Sequence, residues 1–302
     1  QKSVAGWSAW ASTHVSFDPN CNTHSDPGPY WNWAHYMDLL NPPPPQTMHD
    51  VGNRILFNTA TSKGYELDAF GGIAAINGAT AVSGNDYWAG WDIVRDFGIT
   101  SWTTPKGYSL DAYGGLHPFG GQAAATSYNF YQPNWDIARA MEVSSTGKGY
   151  VLDGLGAVHP FNGAPAITSG PYWPNWDIAR DLVITDYATG KGYVLDGLGG
   201  INPLNGAPAV SSPAYWPNWD IARALVMNPA TLKGYVLDGL GGLHPVNGAP
   251  APSGVAGFTF DIARDVVITD WTTPKGYTLD GYGAWHPFGG APAVTGAPWF
   301  YW

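Results

Sequence analysis

The chain is poor in charge. Only 12% of its 302 residues are Asp, Glu, Lys or Arg, about half the share of an average soluble protein. Thirteen cations stand against 23 acids, for a formal net charge of −10, and no run of Lys or Arg occurs. That balance argues against nucleic acid and anionic membrane surfaces as partners. A single cysteine, Cys21, excludes an internal disulfide. No apolar run reaches the ~18 residues of a spanning helix, which excludes membrane insertion through one. No Asn-x-Ser/Thr sequon is present, and no leader segment is visible. A start at Gln1 fits the mature form of an exported protein. Long segments with a 3.6-residue period are missing too, which excludes helical repeats.

What the chain has instead is Gly, Pro and aromatics: 40 Gly, 26 Pro, 16 Trp and 17 Tyr. Much of this material is one passage written six times. Lys-Gly-Tyr begins at Lys63, Lys106, Lys148, Lys191, Lys233 and Lys275, in steps of 43, 42, 43, 42 and 42 residues. A WDIAR-like motif precedes each copy, starting at Trp91, Trp135, Trp176, Trp219 and Phe260, with a degraded version in His49 to Arg54. A period of about 40–45 residues is that of a propeller blade built from a four-stranded sheet.

One unit shows where the strands fall. In IARDLVIT, Ile178, Arg180, Leu182 and Ile184 alternate with Ala179, Asp181 and Val183, which predicts an innermost strand. KGYVLD, Lys191 to Asp196, predicts a second strand, and the Gly-rich GLGG after it a hairpin turn. Residues such as Gly115 to Phe119 predict a third strand with Pro at a bulge or strand end. The APAV stretch predicts a short outer strand. From Asp50 to Trp302 the chain holds six such units. One blade cannot bury both faces of its sheet, whereas a closed ring lets each blade bury its face on the next. The expected fold is therefore all-β: a six-bladed β-propeller of about 42-residue repeats over residues 49–302.

Units such as KGYVLDGLGGLHPVNGAP and GKGYVLDGLGAVHPFNGAP resemble the Gly-Tyr-x-Leu…Gly-Gly…Phe propeller repeats of secreted bacterial multidomain proteins. The resemblance spans roughly residues 49–302. It implies a propeller used for binding or as a scaffold, outside the cell or on its surface, and it brings no catalytic residue with it.

Residues 1–48 lack the repeat and form an irregular N-terminal extension. Trp33, Tyr36, Met37 and Leu40 lie on one face of a short predicted helix that NPPPP ends. The expected role is a cap on the propeller, with a degenerate seventh blade as the alternative. Cys21 and His24, with His14 and His35 near them, are the one candidate set for zinc or copper. Their loose spacing makes a buried or free thiol the expected state, or a bridge between two chains.

Nearly every cation belongs to the repeat. Asp92, Asp136, Asp177, Asp220 and Asp261 precede Arg95, Arg139, Arg180, Arg223 and Arg264 by three residues. Structural ion pairs are the expectation, and a charged axial channel binding an ion the alternative. Asp68, Asp111, Asp153, Asp196, Asp238 and Asp280 precede the hairpin turn and are expected to bond its N–H groups, with calcium binding as the alternative. His117, His159, His244 and His286 share one repeat position, where two copies carry Asn202 and Ala74. Neighbouring blades would hold these rings too far apart for one metal ion. No cofactor is expected.

The leading functional expectation is a non-catalytic extracellular module that binds glycans or a cell-surface polymer multivalently. Trp88, Trp102, Trp173, Trp216 and Trp271 would offer flat faces to sugar rings, and the four histidines hydrogen bonds. A second reading is a structural subunit of a fibre, sheath or surface layer, as a homo-oligomer or filament. A third is a glycoside hydrolase. The acids outside the repeat pattern, among them Asp86, Glu66 and Glu142, show no pairing that would serve one.

Overall fold

The computed structural model describes residues 51–298. They lie in the second of the two units into which the chain divides, Gln1–Met48 and His49–Trp302. The predicted cap, its helix and the Cys21–His24 set therefore lie outside the described residues.

Six antiparallel sheets follow one another along the chain. Their inner strands are Gly52–Asn58, Val94–Ser101, Ala138–Val143, Ala179–Asp186, Ala222–Met227 and Ala263–Asp270. The middle strands are Lys63–Asp68, Lys106–Asp111, Gly149–Asp153, Lys191–Asp196, Gly234–Asp238 and Lys275–Asp280. The third strands are Ile73–Ile76, Leu116–Phe119, Val158–Phe161, Ile201–Leu204, Leu243–Val246 and Trp285–Phe288. Each trio is one blade of a six-bladed propeller. No helix occurs among the described residues.

Each blade has three strands, so the expected outer strand in the APAV stretch is absent among the described residues. The Gly-Tyr tyrosine explains what holds that stretch. Tyr193 is fully buried, and its hydroxyl donates to the Pro208 carbonyl at 2.8 Å. Tyr65, Tyr108, Tyr235 and Tyr277 make the same bond to Thr80, Ala123, Pro250 and Pro292. In five blades the segment is thus pinned by a side chain instead of a strand ladder, whereas the Tyr150 hydroxyl of blade 3 is buried with no such partner among the described residues. The glycine before the tyrosine is obligatory on close approach: a Cβ at Gly192 would collide with the Val183 carbonyl oxygen of the neighbouring strand.

The inner strand also departs from plain alternation. Ala179 pairs with Asp196 and Asp181 with Leu195, leaving Arg180 as the extra residue of a β-bulge. The same irregularity recurs in all six blades. Past the bulge, Leu182 and Ile184 join Ala179 in the core, while Arg180 is turned out of the sheet.

Cores form between blades. Tyr193 and Leu195 of blade 4 pack on Ala222, Leu225, Met227, Val236 and Val246 of blade 5. The equivalent cluster recurs at each junction, including that of blade 6 with blade 1, where Tyr277 and Leu279 meet Ile55 and Ile76. Each fully buried side chain of this size contributes about 1.5–3 kcal/mol, so the junctions, not the separate sheets, carry the stability. The ring is closed by bonds between its ends. The amides of Val51 and Gly52 donate to the Gly281 carbonyl, and Asn77 N–H donates to the Thr295 carbonyl at 2.9 Å.

Candidate functional site

The inner strand starts, the middle strand ends and the hairpin turn lies at one edge of each sheet, as the pairing of Ala179 with Asp196 shows. One face of the ring therefore collects the linkers, the turns and the bulged arginines. On it, Arg95 bonds Asp92 of its own blade at 2.8 Å and Asp136 of the next at 2.7 Å. Arg139 joins Asp136 to Asp177, Arg180 joins Asp177 to Asp220, and Arg223 joins Asp220 to Asp261. Arg264 bonds Asp261 at 3.0 Å. The bulge is what lets each arginine reach across to its neighbour. Partial burial opposes ionisation of Asp136, Asp220 and Asp261, but bonds and charges from the flanking arginines prevail and hold these carboxyls below their ordinary range.

The linkers before the inner strands carry aromatics, and a tight turn decides which are exposed. In Trp173-Pro174-Asn175-Trp176, Trp176 N–H donates to the Trp173 carbonyl at 3.1 Å, and Asn175 has a φ of 61°. Pro followed by a residue of positive φ is the pattern of a type II turn. It sends the two tryptophans opposite ways. Trp173 lies half-buried against the blade core, over Gly156. Trp176 is 50% exposed, as are Trp91, Trp135 and Trp219. Tyr87, Tyr131, Tyr172 and Tyr215, four residues earlier, are exposed as well, and Phe260 takes the tryptophan place before Asp261.

The residues singled out from the sequence thus divide. Trp88, Trp102, Trp173, Trp216 and Trp271 all pack as half-buried flanks of the blade cores. Trp88, Trp173 and Trp216 are the inner members of their linker pairs, and Pro or Ala followed by Asn or Gly between the two tryptophans is the signal that separates them; Trp102 and Trp271 instead follow inner strands. His117, His159, His244 and His286 each bond, through Nε2, the Asp that opens their own turn, at 2.7–2.9 Å. That Asp in turn accepts two turn amides: Asp111 Oδ1 takes Tyr113 N–H and Gly115 N–H. The imidazoles also touch the linker aromatics, as in the edge-on pairs Trp88–His117 and Trp216–His244. His117 differs in holding a second carboxylate, Asp86, at 2.9 Å. Burial lowers its pKa, but bonds to Asp111 and Asp86 prevail and raise it.

The axis holds a charge cluster that the motif alignment obscured. Arg54 pairs with Leu67 as Ala224 pairs with Leu237, so Asn53, not Arg54, stands in the bulge place of blade 1. Arg54 occupies the next ring position, where the other blades carry Asp96, Ala140, Asp181, Ala224 and Asp265 in order. Its guanidinium reaches Asp96, Asp181 and Asp265 at 3.3, 3.1 and 3.4 Å. Each of these buried aspartates also bonds an amide of its own strand and one of the next blade; Asp181 takes Leu182 N–H and Leu225 N–H. Burial raises Asp96 to about 6 and Asp265 to about 7, against the pull of Arg54. Burial likewise lifts Glu142 to about 8, and its Oε2 accepts from Tyr187 Oη at 2.8 Å. A cavity of about 190 Å³ beside Arg54 and Glu142 is lined also by Phe97, Gly98 and Trp102.

Among the described residues no group of three or more His, Cys, Asp or Glu is arranged to hold a metal ion. No protein-family model matches the chain, and comparison with curated proteins finds no match.

Proposed function

We propose that the chain is a non-catalytic, extracellular binding module that takes carbohydrate multivalently on the face bearing the Arg–Asp rim. The observation that carries this reading is the repeated exposure of Tyr87 with Trp91, Tyr131 with Trp135, Tyr172 with Trp176 and Tyr215 with Trp219. Exposed rings of this size at fixed intervals are not needed for blade packing, which the inner tryptophans already supply. Flat aromatic faces suit the C–H faces of sugars, and a partly exposed Asp follows each tryptophan to accept hydroxyl protons. Several weak, equivalent sites gain affinity by avidity. The low charge and the resemblance to secreted bacterial propeller repeats support the extracellular, bacterial setting.

Glycan-array binding followed by titration tests the reading. Trp176→Ala and Trp219→Ala together should weaken binding of a multivalent glycan by about tenfold or more and leave the melting temperature nearly unchanged. Absence of any glycan binding at millimolar concentration would remove the proposal. Ordered polymers in light scattering, lost in the same double variant, would favour the assembly-subunit reading instead.

A further inference from the structure

Blade 1 lacks the side chain that its sisters keep beside the turn aspartate. His117, His159, His244 and His286 bond that aspartate in blades 2, 3, 5 and 6, and Asn202 does so in blade 4 at 3.2 Å. In blade 1 the position is Ala74, and a cavity of about 240 Å³ lies there, lined by Glu66, Asp68, Gly72, Ile73, Ala74 and Pro298. Asp68 keeps the turn role, its Oδ1 accepting Phe70 N–H and Gly72 N–H at 2.8 and 2.7 Å. Its Oδ2, the atom that meets the ring nitrogen in sister blades, has no side-chain partner among the described residues.

Glu66 pairs directly with Ala74 across the two strands, at a place where the sisters carry Ser109, Val151, Val194, Val236 and Thr278. It is 1% exposed. One carboxylate oxygen, Oε2, accepts from Trp285 Nε1 at 2.6 Å, and the other, Oε1, is buried with no hydrogen-bond partner among the described residues. An unpaired buried oxygen of this kind costs free energy until a donor reaches it. The cavity therefore combines a vacated ring position, an open carboxylate oxygen and an unsatisfied buried one.

We propose that this cavity is a binding site for a small planar nitrogen cation of imidazolium size, received between Asp68 and Glu66 where the sister blades hold their own histidine. Two N–H donors on opposite sides of one ring match the two acceptors. Nothing in this site requires a glycan on the rim face. Burial, eased by the Trp285 bond, raises Glu66 to about 8, and Asp280 and Asp68 add to the rise. An arriving cation draws the proton off Glu66, so occupancy increases as pH rises toward the point where the ligand itself loses its charge.

Trp285 supplies a local reporter, because its indole N–H is bonded to Glu66. Titrating imidazole into the isotope-labelled full chain should move the Trp285 indole resonance, identified with Trp285→Phe, along a saturating curve with millimolar affinity. Ala74→His fills the vacancy from within and should abolish the response; Ala74→Asn, with Asn202 as precedent, should do the same if the histidine variant folds poorly. Glu66→Gln should weaken binding by about tenfold or more. Tetramethylammonium, which has no N–H, should leave the resonance unmoved. A response that does not saturate, or that is equal in the wild-type chain and both Ala74 variants, would overturn the proposal.

Discussion

Blade 1 and blade 4 are built from the same passage, yet they do different work. Blade 4 follows the repeat at three of four places, with Arg180 at the bulge, Asp181 at the axis and Val194 in the junction, and puts Asn202 instead of the usual histidine on the turn aspartate. Blade 1 breaks it at each of those places, with Asn53, Arg54, Glu66 and Ala74. Two of these changes have a matching partner elsewhere in the ring. Arg54 answers the aspartates of the alternate blades 2, 4 and 6. Glu66 meets Trp285, which replaces the aliphatic residue of the sister blades. What is copied makes a wedge that fits any other copy. What is not copied specifies which wedge closes the ring.

The axial contrast should break first and hardest. Arg54→Met leaves three buried aspartates without their cation, and a loss of about 3–5 kcal/mol is expected in chemical denaturation. Adding Asp181→Ala, which copies Ala140 and Ala224, should return part of that loss. A loss below about 1 kcal/mol would show that the cluster is solvated instead of buried.

The seam comes next. Trp285→Leu, which copies Leu116 and Leu243, removes the donor to Glu66 and should cost about 2–4 kcal/mol. Glu66→Val alone copies three sister blades but leaves the indole N–H unpaired. The double variant turns the seam into an ordinary junction and should be more stable than the sum of the single changes predicts, by about 1 kcal/mol or more. Strict additivity would mean that the two residues do not act as a pair.

A pH series sharpens the same contrast. Glu66 rises from an ordinary 4.5 to about 8 in the folded chain. The folded state thus prefers the protonated acid, and the unfolded state releases that proton earlier. Stability is lost as pH climbs through about 4.5, and the loss levels off above about 8. Glu66→Gln should therefore gain on the wild-type chain as pH rises, by up to about 3 kcal/mol near neutrality, with no gap near pH 4. A gap that is constant with pH would refute the assignment. The smallest effect belongs to the rim: Arg180→Ala should cost about 1 kcal/mol or less, because its partners Asp177 and Asp220 remain partly in water.

Much of this architecture is written in the repeat. Six Lys-Gly-Tyr copies and their spacing place the blades, and the turn aspartates announce themselves by position. The bulge is hidden, because Ile178, Arg180, Leu182 and Ile184 alternate perfectly on paper while Arg180 is the residue the ladder skips. The axial cluster was legible as Asp and Ala taking turns at 96, 140, 181, 224 and 265, but aligning Arg54 with the other arginines masked its true place by one residue. The choice between Trp173 and Trp176 depends on the conformation of two residues between them. Glu66 and Trp285 stand 219 residues apart, and only ring closure brings them together.

Closure is tested most directly by cross-linking the ends of the ring. Asn77 and Thr295 exchange bonds across the blade 6–blade 1 seam, as Asn162 and Thr126 do within the continuous part of the ring. In a Cys21→Ser background, the pairs Asn77→Cys with Thr295→Cys and Asn162→Cys with Thr126→Cys are equivalent geometric tests. Both pairs should form intrachain disulfides with similar efficiency in dilute solution. If the Asn162 pair closes while the Asn77 pair yields only free thiols or links between chains, blade 6 does not meet blade 1 and the closed ring is wrong.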